Sequence, residues 1–172
     1  MPLANVFAEL EAAQASGVIE RYAIGGAVGA TFYIEPAATQ DLDVFVVFGP
    51  QPGLLLSITP VYEFFRERGA ELQGEHLVIA AWPVQFLPVT TALVEDALRE
   101  AVRIDVEDQK VNVFSQEHLA AIALDTNRLK DKVRLEQFLD SGSFDRARFG
   151  ELVARFGLEE KWARFQTFKE QW

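Results

Sequence analysis

The segment 22–48, YAIGGAVGATFYIEPAATQDLDVFVVF, constrains this chain more than any other stretch. A strand-like run enters Gly25-Gly26, a segment of helix length follows, and Thr39-Gln40-Asp41-Leu42-Asp43 heads a second apolar strand. Side chains alternate along a strand with a period of two, so Asp41 and Asp43 share a face. Two acids held together beside a glycine turn make a divalent-metal site facing a phosphate-binding loop. Such an arrangement handles nucleotides.

The remaining elements can be placed around that unit. Leu3, Val6, Phe7 and Leu10 mark an amphipathic helix ending near Gly17. Strands are expected over 21–24 and 41–48, with a helix over 27–34 stopped by Glu35-Pro36. A Gly-Pro-Gln-Pro-Gly loop at 49–53 precedes a helix capped by Thr59, started by Pro60 and closed by Gly69. Short strands follow over 71–73, 76–81 and 84–87, with turns at Gly74-Glu75 and Trp82-Pro83. A helical pattern covers 91–102, and 104–106 with 111–114 suggests a hairpin turning at 108–110. From the Ser115 cap onward the pattern is all helix, broken at Gly142 and Gly157. The fold class is α+β: a mixed β-sheet flanked by helices over 1–114, then a C-terminal helical part over 115–172.

Charge narrows the functions open to this chain. The net charge is −10; residues 1–100 hold 13 acids, four arginines and no lysine, whereas 101–172 hold 13 acids and 12 bases. A broad nucleic-acid footprint needs a basic face, which the first hundred residues cannot supply. If a triphosphate binds, most of its positive partners come from the second half. Arg128, Lys130, Lys132 and Arg134 form the densest basic cluster there. On a helix 128/132 and 130/134 are i,i+4 pairs on nearly opposite sides, so one pair can face the acidic site, with Lys130 turned toward the nucleotide. There is no cysteine, which excludes disulfides and thiolate metal sites. No run approaches the roughly 18 apolar residues of a membrane span, and no signal-peptide layout is present, so a cytoplasmic protein is expected.

Each group has a physical task in nucleotidyl transfer. Paired glycines let the backbone approach a phosphate, and a following helix adds a favourable dipole. Asp41 and Asp43 can bridge Mg²⁺ that holds phosphates and activates a hydroxyl, and Thr39 can donate to a phosphate oxygen. His118, in a first helical turn, is expected at the surface or as a cap. His76, at a strand start, could approach the site. Phe144, Phe149, Phe156, Trp162, Phe165, Phe168 and Trp172 are spaced as a helical core, with some excess available for a homodimer or partner surface.

The order Gly-Gly, helix, Thr-x-Asp-x-Asp on a strand resembles the DNA polymerase beta-like nucleotidyltransferase superfamily. The nearer resemblance is to its small prokaryotic branch around the AbiEii-type toxins of abortive-infection systems. It spans about residues 20–140 and includes SQEHLAAIALDTNRLKDKVRLEQFL at 115–139. It implies transfer of a nucleoside monophosphate from an NTP to a hydroxyl acceptor (a tRNA end, a protein or a small molecule) through a two-metal Mg²⁺ site, or a single ion. It places Gly25, Gly26 and Thr39 near phosphates, metal on Asp41 and Asp43, and Arg128, Lys130 and Asp131 as groups from the helical half. A toxin of this branch would have a cognate antitoxin.

The superfamily supplies a third carboxylate from a later strand. Here Trp82-Pro-Val-Gln-Phe-Leu-Pro88 occupies that strand and Gln85 stands where the acid would point. Glutamine can ligate through its carbonyl oxygen but cannot act as a base. Asp105 or Glu75 are the candidates to complete the site. The alternative is a non-catalytic nucleotide- or partner-binding protein that kept the fold and lost the third acid.

Overall fold

A computed structural model describes residues 2–36, 38–39, 41–51 and 57–169. Gln40, the Pro52-Gly53 end of the expected loop and Trp172 lie outside the described residues. In chain order the elements are α1 (Pro2–Ala15), β1 (Ile19–Ile24), α2 (Gly26–Ala30), β2 (Leu42–Phe48), α3 (Thr59–Glu67), β3 (Glu71–Gln73), β4 (His76–Ile79) and β5 (Trp82–Pro88). They continue with α4 (Ala92–Arg99), β6 (Val102–Val106), β7 (Gln109–Val113), α5 (Gln116–Thr126), α6 (Leu129–Asp140), α7 (Arg146–Arg155) and α8 (Glu159–Lys169).

The strands form one mixed sheet in the order β3-β4-β5-β2-β1-β7-β6. The two strands of the glycine unit, β1 and β2, run antiparallel at its centre, with Ile24 opposite Val44. On either side the neighbours are parallel: β5 along β2, with Asp43 beside Gln85, and β7 along β1. Alternation then sorts the side chains by face. Leu42, Val44, Val46, Tyr22, Ile24, Leu77, Val84 and Phe86 point to one side and are buried with Val6, Phe7 and Leu10 of α1 and Val61 and Phe65 of α3. Each such fully buried side chain is worth about 1.5–3 kcal/mol of transfer free energy.

The opposite face carries Ala23 and, partly buried, Phe45 and Val47, covered by a second core that runs through Leu119, Leu124, Leu135, Phe138, Phe149, Leu152 and Phe165. The C-terminal aromatics do form a packed row: Phe144, Phe149, Trp162 and Phe165 meet in succession with centroid separations of 5.5, 5.2 and 5.7 Å. This helical cover lies over β1 and β2. Gln85 and His76 point to the same side of the sheet, since their neighbours Val84, Phe86 and Leu77 all face the first core.

Several local expectations need correction. The helix after the glycines is only five residues long; β-branched Thr31 and the aromatics Phe32 and Tyr33 follow it in turns rather than extending it. Thr59 lies inside α3 rather than capping it, and its own N–H donates to Ser57 Oγ at 3.1 Å. The β4–β5 reversal falls at Ala80-Ala81, both at positive φ (48° and 68°), and Trp82-Pro83 belongs to β5. The β6–β7 turn lies at Glu107-Asp108, with Glu107 at φ 53°. Ser115 caps α5 as expected, accepting from the His118 N–H at 3.3 Å. Among the described residues no helix is long and apolar enough to cross a membrane.

Candidate nucleotide and metal site

The glycine bend meets Asp43 directly. Gly25 N–H donates to the Asp43 carbonyl at 3.0 Å, which locks the end of β1 to the start of β2. A Cβ on Gly25 would come within 2.5 Å of the Phe45 ring. Gly26 has φ +57°, and a Cβ there would sit 1.9 Å from Asp43 Oδ2. Only glycine satisfies both the left-handed backbone and that close approach. The Asp43 carboxylate therefore rests on the bare backbone of the turn.

Asp41 lies two residues upstream of Asp43 and is tied to Thr39, whose hydroxyl donates to the Asp41 carbonyl at 3.1 Å and lies 3.4 Å from Asp41 Oδ1. On its other side His76 Nε2 stands 3.4 Å from Asp41 Oδ2. Burial pushes the Asp43 carboxyl above the usual range, and the Asp41 charge adds to that rise. Lys130, Arg128 and Arg134 pull it back down. Three cations of the helical half thus act on the acid site of the first half.

That cationic face is built on a buried acid. Asp131, 1% exposed, accepts from Arg128 Nε at 2.5 Å, from Thr126 Oγ1 at 2.9 Å and from Arg134 at 3.4 Å. Burial alone would raise its carboxyl, but the Arg128 and Thr126 hydrogen bonds and both guanidinium charges outweigh it and hold it low. Arg128 is the N-cap residue of α6, with extended backbone, so the expected i,i+4 partition does not apply to it. Lys132 is the cation that turns away, with its ammonium 4.4 Å over the Phe168 ring. Asp131 spends its oxygens orienting Arg128 and Arg134, while Lys130 forms no ion pair among the described residues.

The other candidate residues fall elsewhere. Asp105 sits on edge strand β6, exposed and 3.0 Å from Lys110, with β7 and β1 between it and β2. Glu75 is exposed in the β3–β4 turn. Gln85 lies in register beside Asp43. Among the described residues no third carboxylate or histidine joins Asp41 and Asp43 in a cluster whose ligand atoms lie within 4.8 Å of one another. His118 is not at the surface: it is 1% exposed, with Nδ1 2.8 Å from Ser115 Oγ and Nε2 3.1 Å from Asp96.

The described residues do hold one three-donor cluster, Asp96, Glu100 and His118. Arg155 reaches Asp96 at 2.9 Å, Arg99 also binds it, and Arg148 takes Glu100. Guanidinium groups already neutralise those carboxylates, so the cluster ties α4, α5 and α7 together. Asp41 and Asp43 are the better candidates for a divalent cation: they are hard oxygen donors whose charges act on one another, neither is paired with an arginine among the described residues, and Gln85 lies in register beside Asp43.

No protein-family model matches the chain, and no curated protein matches its sequence. Solved structures resemble it at low identity. An antigenic nucleotidyltransferase-like protein from Paracoccidioides brasiliensis matches with a TM-score of 0.50 and 12% identity, over 77% of this chain and 72% of that one. ANT(2'')-Ia in complex with adenylyl-2''-tobramycin gives 0.48 and 12%, over 96% of both chains. A solution structure of the same antibiotic-resistance factor gives 0.44 and 14%, over 95% and 89%. The architecture of this chain, a mixed sheet with helices on both faces, is that of the nucleotidyltransferase-like fold.

Proposed function

We propose that this protein binds a nucleoside triphosphate with a divalent cation and transfers the nucleoside monophosphate to a hydroxyl acceptor. The observation that carries this reading is the position of Asp43: pressed on Gly26, two residues from Asp41, and acted on by Lys130, Arg128 and Arg134. Asp41 and Asp43 would hold Mg²⁺, which when bound neutralises phosphate charge and lowers the pKa of an attacking hydroxyl. Lys130 would meet phosphate oxygens, together with Arg128 and Arg134, which Asp131 orients. Gly25 and Gly26 would bring backbone close to the phosphates, and Thr39 would hold Asp41 in place.

A second reading is favoured by one observation: Gln85 occupies the register position beside Asp43, so no carboxylate stands there to take a proton. On that reading the protein binds nucleotide without transferring it. Incubation with labelled triphosphates and a panel of RNA ends, proteins and small hydroxyl compounds separates the two. Label moving to an acceptor, and lost in Asp41→Asn with Asp43→Asn, supports transfer; nucleotide bound but never transferred supports the second reading. The resemblance of 115–139 supports a narrower role as the toxin of an abortive-infection pair, in which induced expression arrests growth unless a cognate antitoxin is present.

A further inference from the structure

Helices cover only part of the sheet face that carries the acid pair. The second core takes residues from β1 and β2 and none from β3, β4 or β5. Strand pairing identifies the side chains on the open half, since paired residues share a face. Glu71 is opposite Val78, and Val78 is opposite Pro83. Leu42 lies beside Val84, and that register, continued by one residue, sets Pro83 next to Asp41. Val78 and Leu87 are partly exposed and belong to neither core. The 3.4 Å approach of His76 Nε2 to Asp41 Oδ2 puts the Asp41 carboxylate on this same face. A partly apolar platform therefore begins at the acid pair and ends at edge strand β3.

Direction and charge together select an occupant for it. Phosphoryl transfer sets the attacking and leaving oxygens roughly in line, on either side of the reacting phosphorus. The glycine bend lies on the β1 side of Asp43 and the platform on the β5 side. With pyrophosphate leaving over the glycines, an acceptor comes in over β5. As for charge, no lysine or arginine occurs from Gly69 to Leu98. Glu71 on β3 and Glu75 in the adjoining turn are exposed and form no ion pair among the described residues. Strands about 4.8 Å apart put Glu71 about 14 Å from Asp41, three strand spacings away.

Resting on the transferase reading above, we propose that this open half of the sheet is the acceptor site, and that the acceptor is a small polyhydroxyl compound bearing ammonium groups. Its body rests on Val78, Pro83 and Leu87, its ammonium groups meet Glu71 and Glu75, and one hydroxyl reaches the acid pair. In the transfer that hydroxyl oxygen bonds to the α-phosphorus, and the bond from this phosphorus to the bridging oxygen of the departing pyrophosphate breaks. The hydroxyl proton passes to water. A polyanion such as RNA meets carboxylates on this surface and neither lysine nor arginine.

The test is calorimetric titration of the full chain, loaded with Mg²⁺ and a non-hydrolysable triphosphate. The titrants are a glucosamine trimer, its N-acetylated counterpart, an RNA oligonucleotide and a lysine-rich peptide containing serine. N-acetylation removes the positive charges and keeps the hydroxyls, so the amine trimer should bind at least about tenfold more tightly than its counterpart, and more tightly than the RNA or the peptide. Glu71→Gln with Glu75→Gln should weaken it about fivefold. Val78→Lys, which sets a cation on the platform, should weaken it as well, with circular dichroism melts confirming that both variants fold. Equal binding of the two trimers, no binding of either, unchanged affinity in the Glu71 and Glu75 variant, or a preference for RNA or peptide overturns the proposal. Triphosphate binding in Asp41→Asn with Asp43→Asn separates the two failures. If it is lost there while the amine trimer fails to bind the parent, only the acceptor site falls; if it is undiminished there, the transferase reading falls too.

Discussion

At the scale of single residues, Gly26 bears the sharpest constraint. Its φ of +57° costs an L-residue about 1–2 kcal/mol, and a Cβ would meet Asp43 Oδ2. Gly26→Ala should therefore destabilise the fold by about 1–2 kcal/mol in urea unfolding and also weaken cation binding, since Asp43 must move. Equal stability with unchanged cation affinity would show that the turn does not shape the site. This pairing was legible because glycine pairs and Asp-x-Asp spacing are local signals. Ala80-Ala81 was not: nothing in two alanines announces positive φ, so the neighbouring proline was read as the turn although Pro83 lies within β5. His118 was hidden for another reason, since its partner Asp96 sits 22 residues away on another helix.

At the scale of elements, α6 is the piece that carries cations to the sheet, and Asp131 is its anchor. Replacing Asp131 by Asn leaves Arg134, whose side chain is only 14% exposed, without its ion pair. The expected cost is about 2 kcal/mol, with weaker triphosphate binding because Arg128 is released and the start of α6 loosens. Calorimetry with a non-hydrolysable triphosphate, alongside urea unfolding, checks both effects. A variant of full stability and full affinity would remove Asp131 from the account. The basic run was visible in the sequence, but its geometry was not. Helical spacing predicts neighbours inside a helix and says nothing of an extended N-cap residue such as Arg128. Likewise, strand alternation fixes the face of Gln85, while His76 required the β4–β5 register, which depends on where the turn falls.

At the scale of the whole molecule, two buried acids link the fold to pH. Asp96 and Asp131 are pushed up by burial but pulled further down by hydrogen bonds, from His118 and from Arg128 and Thr126 respectively, and by arginine charges. Both therefore hold protons less readily folded than unfolded. The stability they contribute is complete above the ordinary aspartate value, about pH 4, and is lost as pH falls through their depressed folded values. Asp43 acts in the opposite sense, because its raised carboxyl is destabilising once ionised. Urea midpoints measured from pH 7 down to pH 3 should fall below about pH 4, and fall less in Asp131→Asn. A midpoint that is flat or rising across that range in the parent would contradict the network.

The acidic first half and near-balanced second half meet at several ion pairs, and around Asp43 of β2 the charges of Arg128, Lys130 and Arg134 act on an acid that no arginine pairs directly among the described residues. Composition leads to the same expectation, since a chain with no lysine in its first hundred residues has to draw positive charge for a triphosphate from elsewhere. The most direct test is calorimetric titration of the parent chain and of Asp41→Asn with Asp43→Asn, using Mg²⁺ and then Mn²⁺ with a non-hydrolysable triphosphate. The account predicts cation-dependent binding in the parent and a loss of at least about tenfold in the folded double variant. Equal affinity in the two proteins would contradict it.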